Sequence, residues 1–401
     1  MVRLQGYIRF SATDWQEVLR VLPLHVQLTR AEAGCLKFEV TPDADEQYRL
    51  NVSEVFINQA AFEAHQRRTQ SSHWAKVTIN AQRCYQILSE ESQASARGFD
   101  LIGAPFNLLG CYTTSANPIE QLRQSDETTW LGLEQWRTIR NTRWGADISD
   151  KGDVLAEPSV LAAVEQNRKE MALHLYSEQL KASVRQSYLD GRIPITIGGD
   201  HSIAVATVQA TLEHFQKNQR KRVAVIWVDA HADCNNQAES NLHGKPVALL
   251  MDRYLHPDWR VTDGMKLSPH DIYYIAVRDL MPAEQQLMNE LGMVSFSMDM
   301  IEEQGINQVT QSLLAHLAQN YDHIYLSFDY DALDGAIYRA CATPNLAGLS
   351  AREALYLVRT IAAHEKFVGA DFVEYLPELD SKGVSKELMI KLLDAVWGYA
   401  I

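Results

Sequence analysis

The rhythm of hydrophobic and polar positions changes partway along this chain. From Phe99 onward, short β-branched or apolar runs alternate with long stretches whose apolar residues recur at helical spacing. That alternation predicts βαβ units around a mainly parallel sheet. Strands are predicted over 99–103, 193–197, 223–228, 271–277 and 323–328 and helices over 158–190 and 203–218, with Ser385 as the cap of a final helix reaching Trp397. Before Phe99 the order is strand, helix, strand, strand, helix, over 4–10, 14–22, 35–40, 48–57 and 59–69. This order suits a small α+β sandwich whose helices cover one face of an antiparallel sheet. The intervening Ser-Glu-Glu-Ser-Gln-Ala-Ser-Ala-Arg-Gly, residues 89–98, is polar and small like a linker. Two domains are therefore expected, residues 1–92 and 99–401.

Composition removes several classes of function. With 401 residues and 46% hydrophobic content the chain can bury more than one core. No apolar run approaches the roughly 20 residues that span a bilayer, and Met1-Val2-Arg3-Leu4-Gln5-Gly6 lacks the apolar core of a secretory signal. A cytoplasmic protein is expected, with no membrane partner. Cys35, Cys84, Cys111, Cys234 and Cys341 are scattered and show no Cys-x-x-Cys spacing, which suggests neither a disulfide framework nor a zinc ribbon. A formal charge of −14 disfavours a nucleic-acid partner, because phosphate binding normally uses a basic face.

Three short motifs carry the chemistry, and each follows an apolar run: Gly198-Gly199-Asp200-His201-Ser202, Asp229-Ala230-His231-Ala232-Asp233 and Ser327-Phe328-Asp329-Tyr330-Asp331. All fall at predicted strand ends, the edge of an open α/β sheet where ligands gather. In the second motif the ionisable groups recur every second residue, so an extended chain points all three to one side. Asp200 before Ser202 also reads as a simple helix cap. His201, Asp229, His231, Asp233, Asp329 and Asp331 supply two imidazoles and four carboxylates. So many acidic groups cannot all stay ionised together without cations between them. This hard, oxygen-rich set favours two manganese ions, with nickel or cobalt left open. A metal pair lowers the pKa of a bridging water and so generates a hydroxide without a protein nucleophile.

These motifs, with Asn241-Leu242-His243-Gly244, Ser-Phe-Asp-x-Asp-Ala-Leu-Asp and Val373-Glu374, resemble the arginase and agmatinase, or ureohydrolase, family over about residues 99 to 401. The resemblance implies a three-layer α/β/α domain, assembled as trimers or hexamers, that hydrolyses a guanidino group to urea and an amine at a dinuclear manganese centre. It implies one metal held by His201, Asp229, Asp233 and Asp329 and the other by His231, Asp229, Asp329 and Asp331, with Asp229 and Asp329 bridging. His243 corresponds to a proton-transfer histidine and Glu374 to the carboxylate that grips the guanidinium. Asn235 and Thr343 match pocket-lining positions.

The resemblance also has departures. Arginases carry an aspartate where Met281 stands, so the usual partner of an α-ammonium is missing, and Glu239 replaces a serine that helps hold an α-carboxylate. A glutamate there repels a substrate carboxylate. The expected substrate is therefore agmatine, another guanidino-amine or a small guanidine rather than L-arginine. Within residues 4 to 90, the stretch Val52-Ser53-Glu54-Val55-Phe56-Ile57 and the residues around His65 and Trp74 are similar to the antibiotic-biosynthesis-monooxygenase family. That family implies a ferredoxin-like domain that dimerises through its sheet. Glu54, His65 and Trp74 read as strand-edge, helix-surface and core-packing groups, and no catalytic role is carried over to them. An arginase proper, an amidine hydrolase, a bifunctional oxygenase-hydrolase and a non-catalytic small-molecule binding protein are the other readings.

Overall fold

The computed structural model describes residues 2–32, 34–44, 46–56, 59–89, 97–114, 116–126, 132–261, 264–380 and 383–398. They form two compact units, Met1–Ala96 and Arg97–Ile401.

In the first unit, strands β1 (Val2–Arg9), β2 (Cys35–Pro42), β3 (Arg49–Phe56) and β4 (Gln82–Ser89) form an antiparallel sheet in the order β2-β3-β1-β4. The period-two pattern of β3 buries Leu50, Val52, Glu54 and Phe56 against Val18, Phe62 and Trp74 from the helices. The first helix runs to Arg30, beyond the predicted end at residue 22 and through Pro23. Strand β4 was not predicted. Glu54 and His65 also differ from the sequence reading: β3 is an interior strand, and both side chains are buried. His65 Nδ1 meets Glu32 Oε2 at 2.7 Å, and Nε2 lies 3.7 Å from Glu54 Oε2. Trp74 packs in the core as expected, stacked on His25 with ring centroids 4.6 Å apart.

The second unit is built on β5 (Gly98–Ala104), β6 (Asp147–Asp153), β7 (Ile193–Gly198), β8 (Val223–Val228), β9 (Ile272–Ile275), β10 (Val294–Phe296), β11 (His323–Asp329) and β12 (Phe367–Val373). All pair in parallel, in the order β10-β9-β8-β11-β12-β7-β5-β6. Alternation along β8 shows the layering. Ala224, Ile226 and Val228 enter one core with the helices Ile306–Asn320, Ala351–Ala362 and Val384–Val396. Val223, Val225 and Trp227 enter the other with Lys169–Leu189 and Ala204–Thr211. This is the expected three-layer α/β/α arrangement.

Two helix predictions need correction. Residues 158–190 form two helices, Pro158–Glu165 and Lys169–Leu189, because Asn167 turns the chain at φ 57°. The final helix starts at Val384 after Gly383, whose φ of 68° suits glycine, and Ser385 is buried inside it rather than capping it. No helix among the described residues is long and apolar enough to cross a membrane.

Candidate metal centre

The strand order places β8, β11, β12 and β7 side by side, and their registers pair Val228 with Phe328 and Asp329 with Val373. The residues just beyond these strands therefore meet at one sheet edge. His201 enters from a single 3₁₀ turn, His201–Ile203, which Asp200 caps by accepting the Ser202 N–H at 3.1 Å. Asp200 also accepts the Leu109 N–H at 3.0 Å, tying a neighbouring loop to the site. Gly199 lets that loop come close, since a Cβ there would lie 2.2 Å from the Phe106 carbonyl oxygen.

His201 Nδ1 lies 2.9 Å from Asp233 Oδ2, 2.9 Å from Asp329 Oδ2 and 3.1 Å from Asp229 Oδ2. It is nevertheless a buried nitrogen with no aligned hydrogen-bond partner. Asp229 also serves a second group: its Oδ1 is 3.4 Å from His231 Nδ1, which is 3.0 Å from Asp331 Oδ2. All six predicted ligands thus converge on two donor sets, His201-Asp229-Asp233-Asp329 and Asp229-His231-Asp331. Asp229 belongs to both, whereas Asp329 joins only the first. The convergence does not come from an extended chain, because the segment turns after β8 and Asp233 sits at φ 50°.

Electrostatics shows why this arrangement calls for cations. Burial and the nearby Asp229 push Asp233 up to about 6, and burial with Asp331 and Asp229 raises Asp329 well above its ordinary value. Burial alone would lower His201, but the three carboxylates outweigh it and raise the imidazole well above its usual range. Without metal, protons held on His201 and Asp329 offset part of this charge. Oxygen and imidazole donors converging on an orphaned buried nitrogen fit two divalent ions.

Two further predicted groups border the cluster. Glu374, at φ 62° after β12, accepts the His201 backbone N–H through Oε1 at 2.9 Å, and burial raises its carboxyl to about 7. His243 is half-buried and its Nδ1 has no partner. Burial lowers its imidazole, but the nearby Cys111 and the charges of Glu374, Asp233 and Asp200 prevail and raise it to about 9. Cations among those carboxylates would draw it back toward neutrality.

Against known proteins, the arginase family model matches residues 97–398 and the antibiotic biosynthesis monooxygenase model residues 1–77. An arginase of Coccidioides posadasii is 36% identical over 229 residues, covering 55% of this chain and 70% of its own. The chain belongs to the arginase family. The solved arginase from Bacillus caldovelox superposes with a TM-score of 0.64 at 27% identity, covering 76% of this chain and 99% of its own. The agmatine ureohydrolase of Thermoplasma volcanium shares the fold, with a TM-score of 0.53, 21% identity and coverage of 78% and 91%.

The remaining predicted residues occupy varied positions in this arginase-family unit. Thr343 Oγ1 donates to Asp331 Oδ2 at 2.8 Å, so it orients a cluster carboxylate. Asn235 is buried and its Oδ1 accepts the Gln237 N–H at 2.9 Å, which shapes the following loop. Glu239 is exposed, and Met281 is 59% exposed just before the helix Pro282–Leu291. Three groups near the cluster escaped the sequence reading. Trp227 Nε1 donates to Asp229 Oδ2 at 3.0 Å. Asp279 Oδ2 lies 3.7 Å from His231 Nε2 and accepts from Asn345 at 2.7 Å. Ser327 meets His201 Nε2 at 2.9 Å.

Proposed function

We propose that residues 97–401 form a dinuclear-metal ureohydrolase that cleaves a guanidino group to urea and an amine. The observation that carries this reading is the pair of donor sets sharing Asp229 beside His243 and Glu374. His201, Asp229, Asp233 and Asp329 would hold one ion and Asp229, His231 and Asp331 the other, with manganese the best match to the donors. When bound, such a pair polarises the guanidino carbon and yields a water-derived nucleophile at neutral pH.

The chain's own residues do the rest. Glu374 keeps Oε1 on the His201 N–H, which leaves Oε2 to grip the substrate guanidinium and orient it. His243 moves a proton to the departing amine. Asp279 and Glu239 supply carboxylates outside the cluster, and Met281 offers none. This combination favours a guanidino compound with a cationic or neutral tail, such as agmatine, over one with an α-carboxylate. L-arginine is the second reading, favoured by the name of the Coccidioides relative. The front unit serves assembly or substrate access, the whole forms a homo-oligomer, and five unpaired cysteines suit a reducing cytoplasm.

The test is urea release by manganese-loaded protein from arginine, agmatine, guanidinobutyrate and guanidine, with metal content measured beside Asp229→Ala. Agmatine or another carboxylate-free guanidine is expected to be best, and the variant to lose both metal and activity. Arginine as the clearly preferred substrate overturns the substrate assignment. Urea from no guanidine, with no more metal than the variant holds, overturns the hydrolase reading.

A further inference from the structure

One layer beneath the metal cluster, a row of residues runs across the sheet. The registers place Trp227 of β8 beside Ser327 of β11, Ser327 beside Asp371 of β12, and Asp371 beside Thr196 of β7. Strands in this layer are otherwise apolar, yet Ser327, Asp371 and Thr196 are fully buried. A carboxylate inside such a sheet costs several kcal/mol unless its oxygens are satisfied. Asp371 is satisfied entirely by hydroxyls: Ser327 Oγ donates to Oδ1 at 2.5 Å, while Thr207 Oγ1 and Tyr325 OH donate to Oδ2 at 2.6 and 2.9 Å.

The Ser327 bond has a directional consequence. With its proton given to Asp371, Ser327 Oγ has only lone pairs to offer His201 Nε2, 2.9 Å away. Nε2 must therefore carry the imidazole hydrogen, and Nδ1 faces Asp229, Asp233 and Asp329 with its lone pair. Trp227 fixes the ring plane by stacking on it, with centroids 4.2 Å apart and planes 8° apart. His231 lies elsewhere in polarity: its ring is a quarter exposed, and its Nε2 is 3.7 Å from the exposed Asp279. The two cluster histidines thus have different supports.

We propose that Asp371, acting through Ser327, is a positioning residue for the ion on the His201 side: it locks His201 as an Nδ1 donor and strengthens that donor, and so sets the affinity of one of the two ions. The inference rests on the dinuclear reading above. Outer partners of metal-bound histidines act this way in general, and losing one costs about 10–100-fold in affinity.

The test is equilibrium dialysis of the full-length protein against manganese, with metal counted by atomic emission. Wild type is compared with Ser327→Ala, Asp371→Asn, Ser327→Thr and Thr207→Val. Ser327→Ala and Asp371→Asn are expected to weaken one ion about 10–100-fold and leave the other within about twofold. Ser327→Thr keeps the hydroxyl and should restore tight binding. Thr207→Val removes a donor to Asp371 without touching the path to His201, and both affinities should hold. Two unchanged affinities in Ser327→Ala overturn the proposal, as does equal weakening of both ions, which is also the mark of a variant that misfolds. Wild type binding no manganese removes the dinuclear reading and this proposal with it, and the wild-type measurement alone identifies that case.

Discussion

Glu374 shows how much one residue can be asked to do. Its backbone occupies the left-handed region at φ 62°, a cost that glutamate bears only where surrounding structure fixes it, here through its N–H on the Gly199 carbonyl. Glu374→Gln keeps an oxygen for the His201 N–H but loses the charge. Urea-release kcat/KM is expected to fall at least about thirtyfold, since truncating a buried charge pair costs ~2–5 kcal/mol, with manganese content unchanged. In the first unit, burial and then the charge of Glu32 raise Glu54 to about 7. A carboxyl raised in the fold above its unfolded value of about 4.3 contributes stability at low pH that is lost as pH climbs to 7. Glu54→Gln should therefore increase amide protection in β1 and β3 above pH 7 and change little near pH 4, as read by hydrogen exchange. The six cluster ligands were legible because each stands just past an apolar run, where an ionisable group has few structural uses. Asp371 was not, because it sits inside such a run, and Ser327, which opens the third motif, was given no role of its own. The signal was nonetheless present: an aspartate in Phe-Val-Gly-Ala-Asp-Phe-Val contradicts the burial of everything around it.

At the scale of elements, most of the missed strands lack a continuous apolar run, whereas β12 has one and was missed all the same. Strand β6, Asp-Ile-Ser-Asp-Lys-Gly-Asp, buries only Ile148 because it lies at the sheet edge beside β5 alone. Its Asp150 and Asp153 instead pair with Arg123 at 2.8 and 2.7 Å. The break near Asn167 was hidden because the segments on both sides are amphipathic. Central strands such as β8, with six buried residues in succession, were readable from composition alone. Helix Ala351–Ala362 allows a clean test at this scale. Ser350 Oγ accepts the Glu353 N–H at 3.3 Å, and Glu353 Oε2 accepts the Ser350 N–H at 2.8 Å. Ser350→Ala is expected to cost about 1 kcal/mol in urea unfolding and to leave urea release unchanged.

For the molecule as a whole, stability and function are tied through the charge stored at the sheet edge. The chain carries −14 overall, and the edge of the parallel sheet concentrates acidic groups that burial alone would reject. Without metal the charged forms of Asp233 and Asp329 oppose the fold; with metal they support it, by about 2.7 kcal/mol for each ion present at a hundred times its dissociation constant. Asp233→Asn separates the two regimes, and its left-handed backbone tolerates asparagine. In the metal-free protein Asp233 is raised to about 6 by burial and then by Asp229, so its charged form costs stability in full above pH 6 and not at all below about 4. The amide removes that cost, and metal-free Asp233→Asn should be more stable than metal-free wild type at pH 8 by on the order of 2–3 kcal/mol. In saturating manganese the order should reverse, because the variant has lost a ligand of the His201 side. Thermal melts of both proteins at pH 8, with EDTA and with manganese, read the inversion directly. Were the variant the less stable of the two under both conditions, Asp233 would be a structural residue and not a group that the fold holds in readiness for a cation.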